Sequence, residues 1–287
     1  MTTATTSVPR TVVSVADLRA LQAAGGPLAL VDASFDLADP EAGRRAWRFG
    51  HVPGSVYAHL DEDLSGRKTG ANGRHPLPVR ADFAATLGRL GITPATTVVA
   101  FDAQGGVYAA RLWWLLRWMG HAAVAVLDGG IAAWERSGGT LVRDEPALRA
   151  AAPYPERAPL TRQVDAATVQ RELGRLRVLD ARAAERFRGE VEPLDPVAGH
   201  IPGALNRFHR ANLEADGTFK SPERLRAELE PLLGPDGTAG LAHQCGSGVT
   251  ACHNLLAMEH AGLTGSALYP GSWSEWVADP TRPIARG

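Results

Sequence analysis

A cysteine in a glycine-rich turn is the residue of this sequence best suited to chemistry. Gln244-Cys245-Gly246-Ser247-Gly248-Val249-Thr250 joins a short apolar run to a segment with apolar residues at helical spacing. Thr238 to Gln244 predicts a buried strand and Val249 to His260 a helix, which leaves the glycines in the turn between them. Two glycines let the backbone curl so that several N–H groups point inward, with the positive end of the helix dipole behind them. Such a concave anion site favours thiolate over thiol, and helix N-terminal placement lowers a cysteine from its ordinary pKa of about 8.5. Ser247 places a hydroxyl on the same tight loop, where it can turn back toward the sulfur. The second cysteine, Cys252, lies about two helical turns further on, ~10 Å along the axis. That exceeds the roughly 7 Å between Cα atoms that a disulfide spans, so Cys252 reads as a packing residue.

The elements that position this turn occur twice. Gly50-His51-Val52-Pro53-Gly54 returns as Gly199-His200-Ile201-Pro202-Gly203, and Val31-Asp32-Ala33 returns as Leu179-Asp180-Ala181. Val107 matches Val249 and Trp134 matches Trp276, both at an offset of 142 positions. In each half, short apolar runs alternate with helical segments: Leu28 to Val31, Thr97 to Phe101 and Val124 to Leu127, then Arg177 to Leu179, Thr238 to His243 and Ala267 to Tyr269. That alternation predicts two α/β domains, each a parallel sheet flanked by helices. Pro146, Pro153, Pro155 and Pro159 mark a stiff linker, so the expected division is 1–145, a linker over 146–162, and 163–287. At the 142 offset Cys245 aligns with Ala103, which assigns the chemistry to the second half. His51 and His200 occur in both halves and therefore read as structural, as does Asp180, which pairs with Asp32.

The hexamer Cys245-Gly246-Ser247-Gly248-Val249-Thr250 resembles the active-site loop of the 3-mercaptopyruvate sulfurtransferases, the sister group of the rhodaneses. The repeated Gly-His-x-Pro-Gly motifs, Asp128-Gly129-Gly130 with Trp134, and Gly271-Ser272-Trp273-Ser274-Glu275-Trp276 extend the resemblance over nearly the whole chain. It implies tandem rhodanese-like domains and sulfur transfer through a persulfide on Cys245. By the same resemblance Ser247 works with His75 and Asp61 from the first domain, and Arg186 grips the donor carboxylate. The backbone of Gly246, Gly248, Val249 and Thr250 would cradle the charge. A second carboxylate-binding arginine of that family follows Glu-Pro, but Glu192-Pro193 is followed here by Leu194. Arg182, Arg188 or a basic residue of the first domain are the possible substitutes. The expected partners are a small-molecule sulfur donor and a thiol acceptor, either a small thiol or a thioredoxin-like protein. Thiosulfate is the alternative donor, because sulfite leaves without protonation of carbon.

Other classes fit less well. A cysteine phosphatase expects an arginine six positions after its nucleophile to clamp phosphoryl oxygens, and that position is Ala251. A non-catalytic binding module suits the first half, whereas Cys245 and Ser247 argue against it for the whole chain. With 30 basic and 31 acidic residues the net charge is −1, so no footprint for nucleic acid or anionic membrane appears. Two cysteines in 287 residues exclude a disulfide framework and point to a reducing compartment. Met1 to Ser14 has neither a secretory h-region nor an Arg-rich transit pattern and reads as a cytosolic tail, and Leu112 to Leu127 is too short to span a bilayer. The expected location is therefore cytoplasmic. The nine histidines show no paired metal-binding spacing, so neither metal nor organic cofactor is expected. Trp113, Trp114 and Trp118 fall at helical spacing and read as core, while Trp273 and Trp276, just past a strand end, are expected to line the pocket.

Overall fold

Apolar runs too short for helices become parallel strands buried between helical layers. The computed structural model describes residues 11–146 and 150–287. In chain order the strands are β1 (Val12–Val13), β2 (Leu28–Asp32), β3 (Ser55–Tyr57), β4 (Thr97–Phe101), β5 (Val124–Leu127), β6 (Arg162–Gln163), β7 (Arg177–Asp180), β8 (Leu205–Asn206), β9 (Leu241–Gln244) and β10 (Ala267–Leu268). The first sheet runs β1-β5-β4-β2-β3 and the second β6-β10-β9-β7-β8, the same order in each half. All strand pairs are parallel, with Asp32 opposite Phe101 and Asp180 opposite Gln244 in the central ladders.

Several boundaries differ from the sequence expectation for local reasons. Thr238–Gly240 forms a 3-10 turn after Gly237 adopts φ 58, so β9 starts only at Leu241. The stretch expected as a tail contributes an edge strand, β1, and Ser14 closes a capping box with Asp17 at the start of the helix Val15–Ala24. Its first ten residues lie outside the described ones, as do residues 147–149 of the expected linker. The remainder of that linker lies along the first half: Tyr154 N–H donates to Ala84 O at 2.9 Å and Leu160 N–H to Arg117 O at 2.9 Å.

Two equivalent helices join the halves. Val107–Trp118 packs against Thr250–His260, and both are buried on nearly every residue because each also covers its own sheet. Trp113 and Trp114 are buried there, with Trp114 stacked on Trp118 at 6.2 Å between centroids. One hydrophobic cluster consequently runs through both halves and reaches Cys245, Val249 and Cys252. Among the described residues, no helix is long and apolar enough to cross a membrane.

The repeated histidines do repeated structural work. His51 Nδ1 lies 2.9 Å from Trp47 O with its ring stacked on Trp47, and His200 Nδ1 lies 2.8 Å from Phe187 O with its ring stacked on Phe187.

Candidate active site

Cys245 directly follows the carboxyl end of β9, where parallel sheets collect their ligand-binding groups. The turn from Cys245 to Val249 then enters the helix Thr250–His260. Gly248 makes this turn possible: its φ is +76, and a Cβ there would sit 2.2 Å from Pro270 O. Its N–H donates to Cys245 Sγ at 3.1 Å. The amides of Gly246, Ser247, Val249 and Thr250 find no acceptor among the described residues. They form the concave set of donors that the glycine pattern implied.

The first half shows what such a turn can hold. Its equivalent turn carries Asp102 where the second carries Gln244. Asp102 Oδ1 accepts from Gln104 N and Gly106 N at 2.8 Å each, and Oδ2 accepts from Tyr108 N at 2.8 Å and Ala109 N at 2.9 Å. A carboxylate of the chain itself thus occupies four amides of the first turn and of the helix it enters. In the second half the Gln244 amide instead donates to Asp180, across the sheet, and leaves the turn open.

Ser272 fixes Cys245 from the other side. Its hydroxyl accepts from Cys245 N at 3.0 Å and donates to Tyr269 O at 2.9 Å. Ser272 holds φ 55 and its repeat counterpart Gly130 holds φ 54. A side chain at this left-handed position costs about 1–2 kcal/mol, and in the second half it supplies the acceptor for the Cys245 amide. The sequence signal was the replacement of glycine by serine between Asp128-Gly129-Gly130 and Pro270-Gly271-Ser272.

His75 and Asp61 reach this loop from the first half. His75 Nδ1 accepts from Ser247 Oγ at 2.8 Å, and Nε2 faces Asp61 Oδ1 at 3.6 Å. Lys68 Nζ holds the same Asp61 oxygen at 2.9 Å. Burial pushes His75 down to about 3 against the opposing pull of Asp61, so its imidazole is neutral at physiological pH. A neutral ring with its proton on Nε2 leaves Nδ1 to accept from the serine.

Arg186 lies in the short helix Ala184–Phe187, with Nη2 bonded to Glu192 Oε1 at 2.5 Å and 3.5 Å from Asp195 Oδ2. A Cβ on Gly246 would lie 3.6 and 3.7 Å from its two terminal nitrogens, which places this guanidinium over the loop. Of the substitutes for the arginine absent at Leu194, the two from the second half are engaged elsewhere. Arg182 is buried, bonded to Asp180 at 2.7 Å and to Gly199 O at 2.8 Å, and stacked over Trp273; Arg188 pairs with Glu190 at the surface.

Two further expectations are settled by burial. Trp273 and Trp276 are fully buried and belong to the apolar cluster behind the second sheet, their indole N–H groups spent on Val197 O and Pro283 O. They do not line the pocket, because the helix Ser272–Trp276 turns them inward. Cys252 is buried beneath the loop with its S–H directed at Gly248 O, 3.3 Å away, and burial pushes this thiol up to about 12. Both cysteines are free.

Sequence reasoning missed Arg111. It is fully buried at the junction of the halves and donates to His75 O at 3.1 Å and to Gly248 O at 3.3 Å. One guanidinium thereby ties the loop that carries His75 to the cysteine loop. An arginine in the middle of the apolar run Val107 to Trp118 was the available signal. Away from the site, Glu41, His59 and Glu62 bring potential ligand atoms within 4.8 Å of one another, but Arg44 engages Glu62 and Pro40 O engages His59.

The model of the rhodanese-like domain matches residues 14–137 and again 165–279. The chain belongs to the rhodanese-like family. Its two rhodanese-like domains, each a parallel five-stranded sheet with flanking helices, make it a tandem member. A Pseudomonas aeruginosa protein named a probable 3-mercaptopyruvate sulfurtransferase is 47% identical over 91% of this chain and 93% of its own length. The bovine thiosulfate sulfurtransferase is 35% identical over 92% of this chain and 90% of its own length. Among solved structures, the 3-mercaptopyruvate sulfurtransferase of Leishmania major superposes with a TM-score of 0.82 at 28% identity, covering 93% of this chain and 74% of that one.

Proposed function

We propose that this protein is a sulfurtransferase that moves sulfur from 3-mercaptopyruvate through a persulfide on Cys245 to a thiol acceptor or to cyanide. The observation that carries this reading is the chain Ser247–His75–Asp61, which ends on the loop of the nucleophile. The Cys245 thiolate attacks the donor sulfur and an S–S bond forms. The C–S bond breaks, its electron pair remains on carbon as the enolate of pyruvate, and that carbon takes up a proton. Ser247 delivers it: its hydroxyl swings from His75 Nδ1 to give its proton to the carbon, takes the proton of the donor thiol in exchange, and returns to the neutral His75 that positions it. Arg186 holds the carboxylate, and the unpaired amides of the loop cradle the negative charge of donor and persulfide. The outer sulfur then passes to an acceptor, a small thiol or a thioredoxin-like protein, in a reducing compartment such as the cytoplasm.

Thiosulfate is the second reading, and the amide-lined loop favours it as well, since sulfite departs without carbon protonation. Steady-state rates with both donors, on wild type and three variants, test the assignment. Cys245→Ser is expected to abolish turnover with either donor, and Cys252→Ser to retain it. Arg186→Ala is expected to raise KM for mercaptopyruvate about 10- to 150-fold, the worth of one charge-assisted hydrogen bond. Donor without acceptor should add one sulfur to the peptide holding Cys245. An unmodified peptide under non-reducing conditions would sink the persulfide mechanism, and faster turnover of thiosulfate would reverse the choice of donor.

A further inference from the structure

Arg74 of the first domain reaches the cysteine loop. Arg74 N–H donates to Ser274 Oγ at 2.9 Å, which pins this residue against the second half. Its Nη1 pairs with Asp195 Oδ1 at 2.7 Å and reaches Leu194 O at 3.5 Å. Its Nη2 turns toward the cysteine loop, 2.9 Å from where a Cβ on Gly246 would lie. Arg74 and Arg186 therefore converge on one glycine from opposite domains.

Asp195 stands between them. Its side chain is 3% exposed, with Oδ1 on Arg74 and Oδ2 lying 3.5 Å from Arg186 without a hydrogen bond. Beside them Glu192 pairs with Arg186 and with Arg182, and Asp180 pairs with Arg182. Arg74, Arg182 and Arg186 are thus balanced one for one by Asp180, Glu192 and Asp195. Without Asp195 the cluster would carry an excess positive charge and welcome a dianion.

We propose that Asp195, seated between Arg74 and Arg186, sets the charge of the donor, admitting a monocarboxylate and opposing a dianion. This rests on the reading of Cys245 as the nucleophile that takes up the donor's sulfur. A carboxylate can use the guanidinium edges facing Gly246 while the rest of a mercaptopyruvate molecule stays uncharged. A second negative charge is drawn close to the Asp195 carboxylate, in a partly dehydrated site where screening is weak.

The test is kcat/KM for 3-mercaptopyruvate and for thiosulfate on wild type, Asp195→Asn, Asp195→Glu and Arg74→Gln, with thermal melting as the folding control. Asp195→Asn is expected to raise thiosulfate relative to mercaptopyruvate by about tenfold or more, and Asp195→Glu to keep the wild-type ratio. Arg74→Gln leaves Asp195 uncompensated, so thiosulfate should fall further than mercaptopyruvate; this arm stands if Asp195→Asn does not fold. A donor ratio unchanged in both Arg74→Gln and Asp195→Asn, or unchanged in Arg74→Gln alone where the latter is unfolded, overturns the inference. Mass analysis of Cys245 in wild type separates the two failures. No added sulfur from either donor refutes the reading of the site, whereas a persulfide with an unaltered donor ratio refutes only the role of Asp195.

Discussion

Ser247 and His75 meet at 2.8 Å although 172 positions of sequence separate them. Their hydrogen bond crosses the junction of the two domains, and Arg111 braces the junction from below through carbonyls of both sides. The cysteine loop is thus held in a geometry that neither half contains alone.

In the proposed reaction that relationship serves proton delivery to carbon. Ser247→Ala and His75→Asn are each expected to lower kcat for 3-mercaptopyruvate about 10²- to 10⁴-fold, the usual worth of a positioned proton donor or acceptor. Thiosulfate turnover should be nearly spared, because no carbon is protonated. Pre-steady-state rates of pyruvate release and of sulfite release separate the effects, and equal losses with both donors would remove the relay from the mechanism.

The contrast between Asp102 and Gln244 predicts a self-blocked enzyme. In Gln244→Asp the new carboxylate is expected to fold back on the loop amides as Asp102 does in the first half, occupying the donors a substrate anion needs. kcat/KM should fall at least about tenfold with either donor, the scale of losing one charge-assisted interaction. Gln244→Asn controls for the lost bond to Asp180 and should retain far more activity. Equal activity of the two variants would show that the amides do not serve the donor.

Buried neutral histidines predict acid lability. Burial pushes His75, His243 and His253 each down to about 3 from an ordinary value of about 6.5. The unfolded chain therefore binds more protons than the folded one between those values. Their stability contribution is complete above about pH 6.5 and is lost progressively as pH falls toward about 3, at up to about 1.4 kcal/mol per pH unit for each group. Melting temperature measured from pH 7.5 down to pH 5 should fall steadily; a flat profile would mean that these rings do not titrate with unfolding.

The sequence by itself determined the local parts of this protein. Cys245 in its glycine turn, the duplicated α/β plan, the central strands and the histidines before each Pro-Gly were legible because turn chemistry, apolar runs and repeats act over neighbouring residues. The edge strands β1, β3, β6 and β8 were not, since two or three residues carry no periodicity. Tertiary structure alone decided which charges face the loop. Arg74, Arg182, Arg186 and Arg188 are equivalent as letters, yet one is locked on Asp180, one is spent at the surface, and two converge on Gly246. It likewise turned Trp273 and Trp276 into core and put Arg111 under the loop. The physical reason is that these outcomes depend on how two separately patterned domains pack against each other. Burial and charge pairing across that junction are set by contacts between residues far apart in the chain.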